Sequence, residues 1–237
     1  MIWLLPLFGF LLGSIPFGLL IGKLNGIDIR EHGSGNIGAT NVIRTLGKPK
    51  GIFCLLLDFL KGFIPVAIAV NICRIHGESV AVSLPFLDSW NAGFTPEQRL
   101  LSQIIPVVTA FASIMGHNYS PWIGFKGGKG IATSGGALAA LMPMGVVMLL
   151  LIFIIVTFTT KYVSAGSIAG AIALPILTLW GSWYHDKIAD GTWNKPLFVL
   201  ALIAGIMAVW KHRANIARLR AGTENKIGSK KKKEAQA

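Results

Sequence analysis

Long apolar runs alternate with short polar segments along this chain. The apolar runs fall near 2–22, 51–72, 101–116, 131–160, 164–183 and 196–210. A helix needs about 20 apolar residues to cross the roughly 30 Å hydrocarbon core of a bilayer. The pattern therefore predicts an all-α integral membrane protein. The first run has neither a basic n-region nor a small-residue cleavage site, so we expect it to be a retained helix.

The uncharged run from Gly130 to Thr160 decides the number of crossings. As one helix it would extend about 45 Å at ~1.5 Å per residue, which exceeds the bilayer core. The pair Met142-Pro143 interrupts it, and a break there divides the run into two crossings. Because 131–142 is short for a full crossing, a re-entrant segment is the alternative for that part.

Basic residues indicate the orientation. Five Lys or Arg lie in 23–50 and nine lie in 211–233. Seven crossings put both groups on one side of the membrane, whereas six would separate them. The positive-inside rule therefore predicts seven transmembrane helices, with the N-terminus outside and the C-terminus in the cytoplasm. We treat 1–228 as one polytopic domain and 229–237 as a basic disordered tail.

Composition supports this class. The 237 residues are 53% hydrophobic and 14% charged, and the net charge is +12. The lysines of the tail are expected to meet anionic lipid or water, and we expect no nucleic-acid partner. Cys54 and Cys73 lie near opposite ends of one predicted helix, about 28 Å apart, and cannot pair. No C-x-x-C or His/Cys cluster indicates a metal, and we expect no cofactor.

Two features inside the predicted spans indicate packing. Gly9 and Gly13 have the G-x-x-x-G spacing that allows close contact between helices. Asp58 and Lys61 are three residues apart and share a helix face. Since charges within a span are costly, a structural ion pair is the favoured interpretation, and a direct substrate contact is the alternative.

The first polar segment, 31–44, reads EHGSGNIGATNVIR. Its three glycines can adopt backbone angles that turn several N–H groups toward one anion. The pattern G-x-G-x-x-G is present, but no buried strand precedes it, which argues against a dinucleotide site. A flexible connecting loop is the other alternative. The side chains suited to bind phosphate or carboxylate are Ser34, Asn36, Asn41 and Arg44.

The second polar segment, 116–133, reads GHNYSPWIGFKGGKGIAT. Its run 127–130 can place backbone N–H groups and the Lys129 ammonium around an anion. The next helix begins there and adds the positive end of its dipole. The run resembles a P-loop, but Gly130 stands where that motif needs Ser or Thr.

The third polar segment, 211–226, reads KHRANIARLRAGTENK and is basic, with Ile216 and Leu219 at helical spacing. A single histidine at a helix end is usually a polar cap. Here the three polar segments are predicted to lie on the same side of the membrane. Together they supply groups that can surround one or two phosphates: Ser34, Arg44, Lys129, His212 and Asn215.

In this order and spacing, the three polar segments resemble the motifs of the bacterial acyl-phosphate:glycerol-3-phosphate acyltransferases, the PlsY family. The resemblance extends through nearly the whole chain. The departures are Trp122 where Phe is usual, Ser120 near a usual Pro, a long 73–100 connection and the lysine tail. None falls on a charged motif residue, so we expect them to affect local packing.

The resemblance implies a seven-helix enzyme of the bacterial cytoplasmic membrane with its active site on the cytoplasmic side. It would transfer a fatty acyl group from acyl phosphate to the sn-1 hydroxyl of glycerol 3-phosphate. The products would be lysophosphatidic acid and phosphate, in the first acylation step of phospholipid synthesis. The lipid bilayer would hold the acyl chain.

The resemblance also implies residue roles. Glycerol 3-phosphate would be held by Ser34, Arg44, Lys129, His212 and Asn215, with Asn36 and Asn41 beside them. The donor phosphate would be held by Gly127, Gly128, Gly130 and Ser167. Glu224 would be structural and would fasten the third polar segment. The acceptor of the hydroxyl proton is left open between His212 and the phosphate of the donor.

Two rival functions fit part of the sequence. A transporter of a small phosphorylated anion would also use glycine loops and cations, but such sites usually lie at the bilayer midplane between repeated halves. An H-x-x-x-x-D acyltransferase would need a His followed by Asp, a pattern that His185 and Asp190 match. That pair falls in the predicted extracytoplasmic loop, away from the glycine segments.

Overall fold

The structure, a computed structural model, describes residues 2–227. The predicted tail, 229–237, lies outside the described residues. Ten α-helices follow one another: α1 (Leu5–Ser14), α2 (Phe17–Leu24), α3 (Ala39–Leu46), α4 (Lys48–Ile72), α5 (Arg99–Asn118), α6 (Ile131–Leu141), α7 (Pro143–Thr160), α8 (Val163–Tyr184), α9 (Lys195–Lys211) and α10 (Arg213–Arg220). The predicted all-α class is confirmed.

Five helical segments are long and apolar enough to cross a membrane. They are 2–24, which contains α1 and α2, together with α4, the segment around α5, α7 and α8. A sixth forms if α9 and α10, which are bent by 53°, count as one span. The 11 residues of α6 extend about 16 Å, roughly half of the bilayer core. The chain is therefore a multi-pass membrane protein.

The first span is broken at Pro16, which corrects the expectation of one continuous helix over 2–22. Proline lacks an N–H and cannot complete the helical hydrogen-bond ladder. Other parts of the chain bind the carbonyls near the break: Ser14 O accepts from Ser120 Oγ at 2.6 Å, and Ile15 O accepts from Lys61 Nζ at 2.7 Å. The break thus becomes an attachment point for two distant segments.

The predicted break before Pro143 is confirmed. Helix α6 ends at Leu141, and Met142 leaves helical geometry with φ −149° and ψ 67°. Pro143 begins α7, at a position where a missing N–H costs no helical hydrogen bond. Of the 18 residues of α7, only Thr157 is buried, so nearly all of this helix is available to contact lipid.

Glycines bring four helices into close contact. A Cβ at Gly13 would overlap the Ser113 backbone of α5. A Cβ at Gly62 of α4 would overlap Thr133 of α6, and a Cβ at Gly136 of α6 would overlap Phe59 of α4. The packing role predicted for the glycines of α1 is confirmed, and the short α6 is held against α4 by the same device.

Asp58 and Lys61 form the predicted ion pair inside the bundle. Lys61 Nζ lies 2.8 Å from Asp58 Oδ1, and the two side chains are 1% and 2% exposed. The structural interpretation therefore holds. Cys54 and Cys73 are both buried and unpaired, as their separation required.

Candidate functional site

The three polar segments meet at one end of the helix bundle. Helix α5 ends there, α6 begins there, and α9 ends there. Between them lies a cavity of about 320 Å³. It is lined by Ser34, Asn36, Gly127, Gly128, Lys129, Lys211, Arg213, Ala214, Asn215 and Arg218. The structure thus brings together the segments that the sequence analysis singled out.

The first polar segment turns at Gly33 and Gly35, which have φ of 62° and 68°. These left-handed angles favour glycine. Asn41, which is 1% exposed, stabilises the turn. Its Oδ1 accepts from Ser34 N at 2.8 Å, and its Nδ2 donates to Ile29 O at 3.0 Å. Asn41 therefore shapes the loop and does not line the cavity.

Asn36, the other asparagine predicted from the first polar segment, does line the cavity. Its Oδ1 accepts from Gly38 N at 2.9 Å, next to the first turn of α3. The side-chain amide N–H groups of Asn36 make no hydrogen bond within residues 2–227 that would remove them from a ligand.

The second polar segment lies directly on the end of α5. Gly128 N donates to His117 O at 3.1 Å, so this amide is already engaged. A Cβ at Gly127 would overlap the same carbonyl. Gly130 has φ 79° and occupies the N-cap of α6. The N–H groups in the first turn of α6 have no partner within the helix, and they directly follow the loop 127–130.

Lys129 begins a chain of hydrogen bonds that joins the second and third polar segments. Its Nζ donates to Asn215 Oδ1 at 2.5 Å. Asn215 Nδ2 donates to Glu224 Oε1 at 2.7 Å. The Glu224 carboxylate also accepts from Ser164 Oγ at 3.0 Å and from Arg218 Nε at 2.7 Å. Glu224 thus ties α10, α8 and the Lys129 loop together.

Burial and hydrogen bonding together set the pKa values of Lys129 and Glu224. Burial lowers the pKa of Lys129 to about 8; Glu224 opposes the shift, and Arg218 and Arg44 add to it. The ammonium still carries its charge at neutral pH. Burial would raise the pKa of Glu224, but the hydrogen bonds from Asn215, Arg218 and Ser164 outweigh it and lower the pKa.

His212 lies between α9 and α10 and is 2% exposed. Its Nδ1 is 2.7 Å from Ala208 O. Because a carbonyl oxygen only accepts, Nδ1 carries the hydrogen and Nε2 keeps a lone pair. Burial, with the neighbouring Lys129 charge, lowers the pKa of His212 to about 4. The ring is therefore neutral at pH 7 and can accept a hydrogen bond.

Six of the predicted residues do not line the cavity: Asn41, Arg44, Gly130, Ser167, His212 and Glu224. Arg44 is exposed on α3, and its charge acts on Lys129. Its guanidinium has no hydrogen-bond or ion-pair partner in the part of the chain that the structure describes. Ser167 donates to Val163 O of its own helix at 3.0 Å. Ser164, one turn earlier, is the α8 serine that reaches Glu224.

Three cations of the cavity were missed: Lys211, Arg213 and Arg218. Lys211 donates to Asn118 O at 3.2 Å, and its Nζ lies 4.2 Å from the centre of the Tyr119 ring. A signal was present in the sequence, since Lys211, Asn215 and Arg218 follow the i, i+4, i+7 spacing of one helix face.

The departures at Ser120 and Trp122 both contact the break in the first span. Trp122 Nε1 donates to Ser14 Oγ at 2.7 Å, and Ser120 Oγ donates to Ser14 O. The second polar segment is thus attached to α1, as expected for substitutions that affect local packing.

A larger cavity of about 750 Å³ lies at the opposite end of the bundle and includes His185 in its lining. Two of its arginines are already paired, Arg74 with Asp88 and Arg99 with Glu78. It contains none of the three polar segments. The His185–Asp190 pattern therefore lies far from the glycine loops, as the sequence indicated.

The arrangement around the smaller cavity fits anionic ligands. Cations and the glycine loop line it, and a neutral imidazole lies close to Lys129. No cluster of three His, Cys, Asp or Glu suited to a metal occurs among residues 2–227. Such a site can bind phosphate groups and orient a hydroxyl without a metal ligand set.

Comparison with known proteins matches this chain to one family. A family model for glycerol-3-phosphate acyltransferase matches residues 3–222. A glycerol-3-phosphate acyltransferase of Geobacter sulfurreducens is 40% identical over 219 residues, which are 92% of this chain and 93% of the relative. The acyltransferase of Aquifex aeolicus is 39% identical over 223 residues, which are 94% and 97% of the two chains.

Solved structures show the same fold. The glycerol 3-phosphate form of PlsY, an integral membrane glycerol 3-phosphate acyltransferase, superposes with a TM-score of 0.75 at 36% identity and covers 96% of both chains. Its lysophosphatidic acid form superposes with a TM-score of 0.72 at 35% identity, covering 96% and 95%.

Proposed function

This chain belongs to the glycerol-3-phosphate acyltransferase family, and we propose that it acylates the sn-1 hydroxyl of glycerol 3-phosphate with an acyl phosphate as donor. The products are lysophosphatidic acid and inorganic phosphate. One observation carries the proposal: a glycine loop and the Lys129 ammonium line one cavity at the end of a membrane-embedded bundle, and the buried, neutral imidazole of His212 lies close to Lys129. A donor headgroup and a small phosphorylated acceptor can meet there.

The donor phosphate is assigned to the loop 127–130. The half-buried Gly127 lines the cavity, and Gly130 caps the first turn of α6, whose dipole favours an anion. Gly128 contributes shape, since its N–H is bound to His117 O. Ser167, to which the resemblance gives the same role, lies outside the cavity in this conformation.

Glycerol 3-phosphate is assigned to the opposite side of the cavity. Ser34, Asn36, Lys129 and Asn215 line it, and the unpaired guanidinium of Arg44 is free to form a forked pair with phosphate oxygens. Asn41 keeps the Ser34 loop in place. Glu224 is assigned a structural role because its carboxylate orients Asn215 and Arg218.

The chemistry is a direct acyl transfer. The sn-1 hydroxyl oxygen attacks the donor carbonyl carbon, and the carbon–oxygen bond to the phosphate breaks. His212 Nε2 accepts a hydrogen bond from the attacking hydroxyl and orients it. With a pKa of about 4, His212 is a weaker base than a phosphate group, whose second pKa is about 6. The proton is therefore assigned to the phosphate, which departs as hydrogen phosphate.

Identity of the donor is tested with purified protein in lipid, given glycerol 3-phosphate and one donor at a time. We expect lysophosphatidic acid to form from acyl phosphate, and we expect acyl-CoA to support no comparable rate of formation. A coenzyme A donor would need a site for adenine and additional phosphates, and the 320 Å³ cavity is surrounded only by short polar segments. Product from acyl-CoA at an equal rate, or transport of glycerol 3-phosphate without acylation, would contradict the proposal.

The membrane arrangement follows from the same assignment. We propose seven crossings, with α6 as a short one, in the bacterial cytoplasmic membrane. The N-terminus lies outside, and the site and the C-terminus lie in the cytoplasm, where most Lys and Arg then fall. The described residues form a single domain in this proposal, and the tail from 229 onward follows it.

Orientation is tested by cysteine labelling. Because Cys54 and Cys73 are buried, the native chain serves as an unreactive background. A membrane-impermeant thiol reagent on intact cells is expected to label Ser79→Cys, near the outer end of α4, and to leave Lys48→Cys unlabelled until the membrane is opened. Both positions are exposed, so the opposite result would invert the topology.

A further inference from the structure

His117 lies directly beneath the loop 127–130 and is not among the groups assigned to substrate. It is near the end of α5, 4% exposed. Its carbonyl binds Gly128 N, and its ring lies where a Cβ of Gly128 would be, so that the added atom would overlap Nε2. A Cβ at Gly130 would likewise lie too close to the Asn118 side chain, 2.7 Å from its Oδ1. The end of α5 therefore acts as the surface on which this loop is folded.

The His117 ring lies next to the buried ion pair of α4, slightly beyond hydrogen-bond distance. Its Nδ1 is 3.7 Å from Asp58 Oδ1, which Lys61 contacts at 2.8 Å. Lys61 also binds Ile15 O at the break before α2. Helix α2 leads into the first polar segment. Asp58 thus connects the supports of both loops that the proposed function assigns to the two substrates.

We propose that His117 is a positioning residue that sets the path of 127–130 and hence the place of the donor phosphate. The inference rests on the proposed function, which assigns this loop to the donor. The ring does not touch substrate. It acts through the backbone of Gly128, and the Asp58–Lys61 pair lies on the other side of the ring. A displacement of about 1 Å at a reacting group can lower a rate by about 10²-fold.

This inference gives Gly128 a specific reason to be glycine. Gly130 has a positive φ that disfavours any side chain, whereas Gly128 lies outside the left-handed region. The three atoms nearest to a Cβ added there all belong to the His117 ring: Nε2, which it would overlap, and two carbons at 3.0 and 3.2 Å. At Gly127 the excluding atoms belong to the backbone of His117 and Asn118. A shorter side chain at position 117 therefore makes room beside Gly128 and makes none beside Gly127.

The test measures how substitutions at 117 and 128 combine. His117→Asn removes Nε2 and Cε1 and keeps an N–H donor near Asp58. The nearest remaining atom corresponds to Cδ2, 3.2 Å from the added Cβ, which a small shift accommodates. Gly128→Ala is expected to lower kcat/KM for the donor by about 10²-fold in the native chain, and by less than about threefold in the His117→Asn chain.

Gly127→Ala is the matched control, and its cost is expected to be the same in both backgrounds. His117→Asn alone is expected to raise the KM for the donor by about tenfold, to leave the KM for glycerol 3-phosphate within about twofold and to leave the melting temperature unchanged. A purely structural role would change all three measurements together.

An equal cost of Gly128→Ala in both backgrounds would overturn the inference while leaving the proposed function intact. Normal donor kinetics for both Gly127→Ala and Gly128→Ala would instead remove the donor assignment of the loop, and the inference with it. If His117→Asn does not fold, all residues are introduced at 117 in the Gly128→Ala chain. Recovery of activity by small side chains supports the inference, and recovery by none contradicts it.

Discussion

Replacing Lys129 with methionine is expected to lower kcat/KM by about 10³-fold. Methionine keeps most of the volume of the side chain but removes the charge that the proposed function places beside the departing phosphate. Each well-placed group that stabilises developing negative charge contributes roughly 10²- to 10³-fold to acyl transfer. Lys129 also holds Asn215 through Oδ1, so its loss releases a second cavity group.

Lys126→Met provides the control, because Lys126 lies three residues earlier, is exposed and does not line the cavity. Rates are measured with both substrates below saturation, and melting temperatures confirm folding. Activity of Lys129→Met within tenfold of the native enzyme would show that this ammonium is not near the reacting atoms.

Glu224→Gln is expected to reduce kcat/KM by about 10²-fold. The carboxylate receives hydrogen bonds from three donors, on Asn215, Arg218 and Ser164. A glutamine side chain offers one acceptor oxygen and turns an NH₂ group toward the remaining donors. The partners then lose their orientation, and Arg218 is left without its ion pair.

Glu31→Gln is the corresponding control, since it removes the same charge from an exposed residue of the first polar segment. The measurement is the kinetic pair kcat and KM for each substrate. If Glu224→Gln and Glu31→Gln behave alike, the carboxylate is a surface charge and not the junction that orients the third polar segment.

Prolines show how far the sequence predicts the fold. The break at Pro143 could be predicted because the run around it is too long for one crossing. Pro65, Pro106 and Pro175 lie inside continuous helices, whereas Pro16 ends one. Sequence alone does not separate these outcomes: at Pro16 the carbonyls beside the break are bound by Ser120 and Lys61, which are distant along the chain.

The candidate site shows the same limit. The motifs placed the three polar segments together, and the cavity contains Ser34, Lys129 and Asn215 as predicted. Asn36 and Asn41 look alike in sequence, yet one lines the cavity and the other is buried in its own loop. Such a choice depends on side-chain direction within a turn, which residue type does not specify.

The cavity lies at the ends of helices whose sides face lipid, so with the proposed acyl phosphate donor the two substrates reach it from different phases. Glycerol 3-phosphate arrives from water, and its supply is set by its concentration there. The proposed acyl donor arrives within the plane of the bilayer, and its supply is set by its mole fraction among the lipids. Added inert lipid lowers the mole fraction of the donor in the membrane without changing its bulk concentration. Under the proposed reaction, the rate therefore depends on the lipid composition of the membrane, and the product remains in the same membrane.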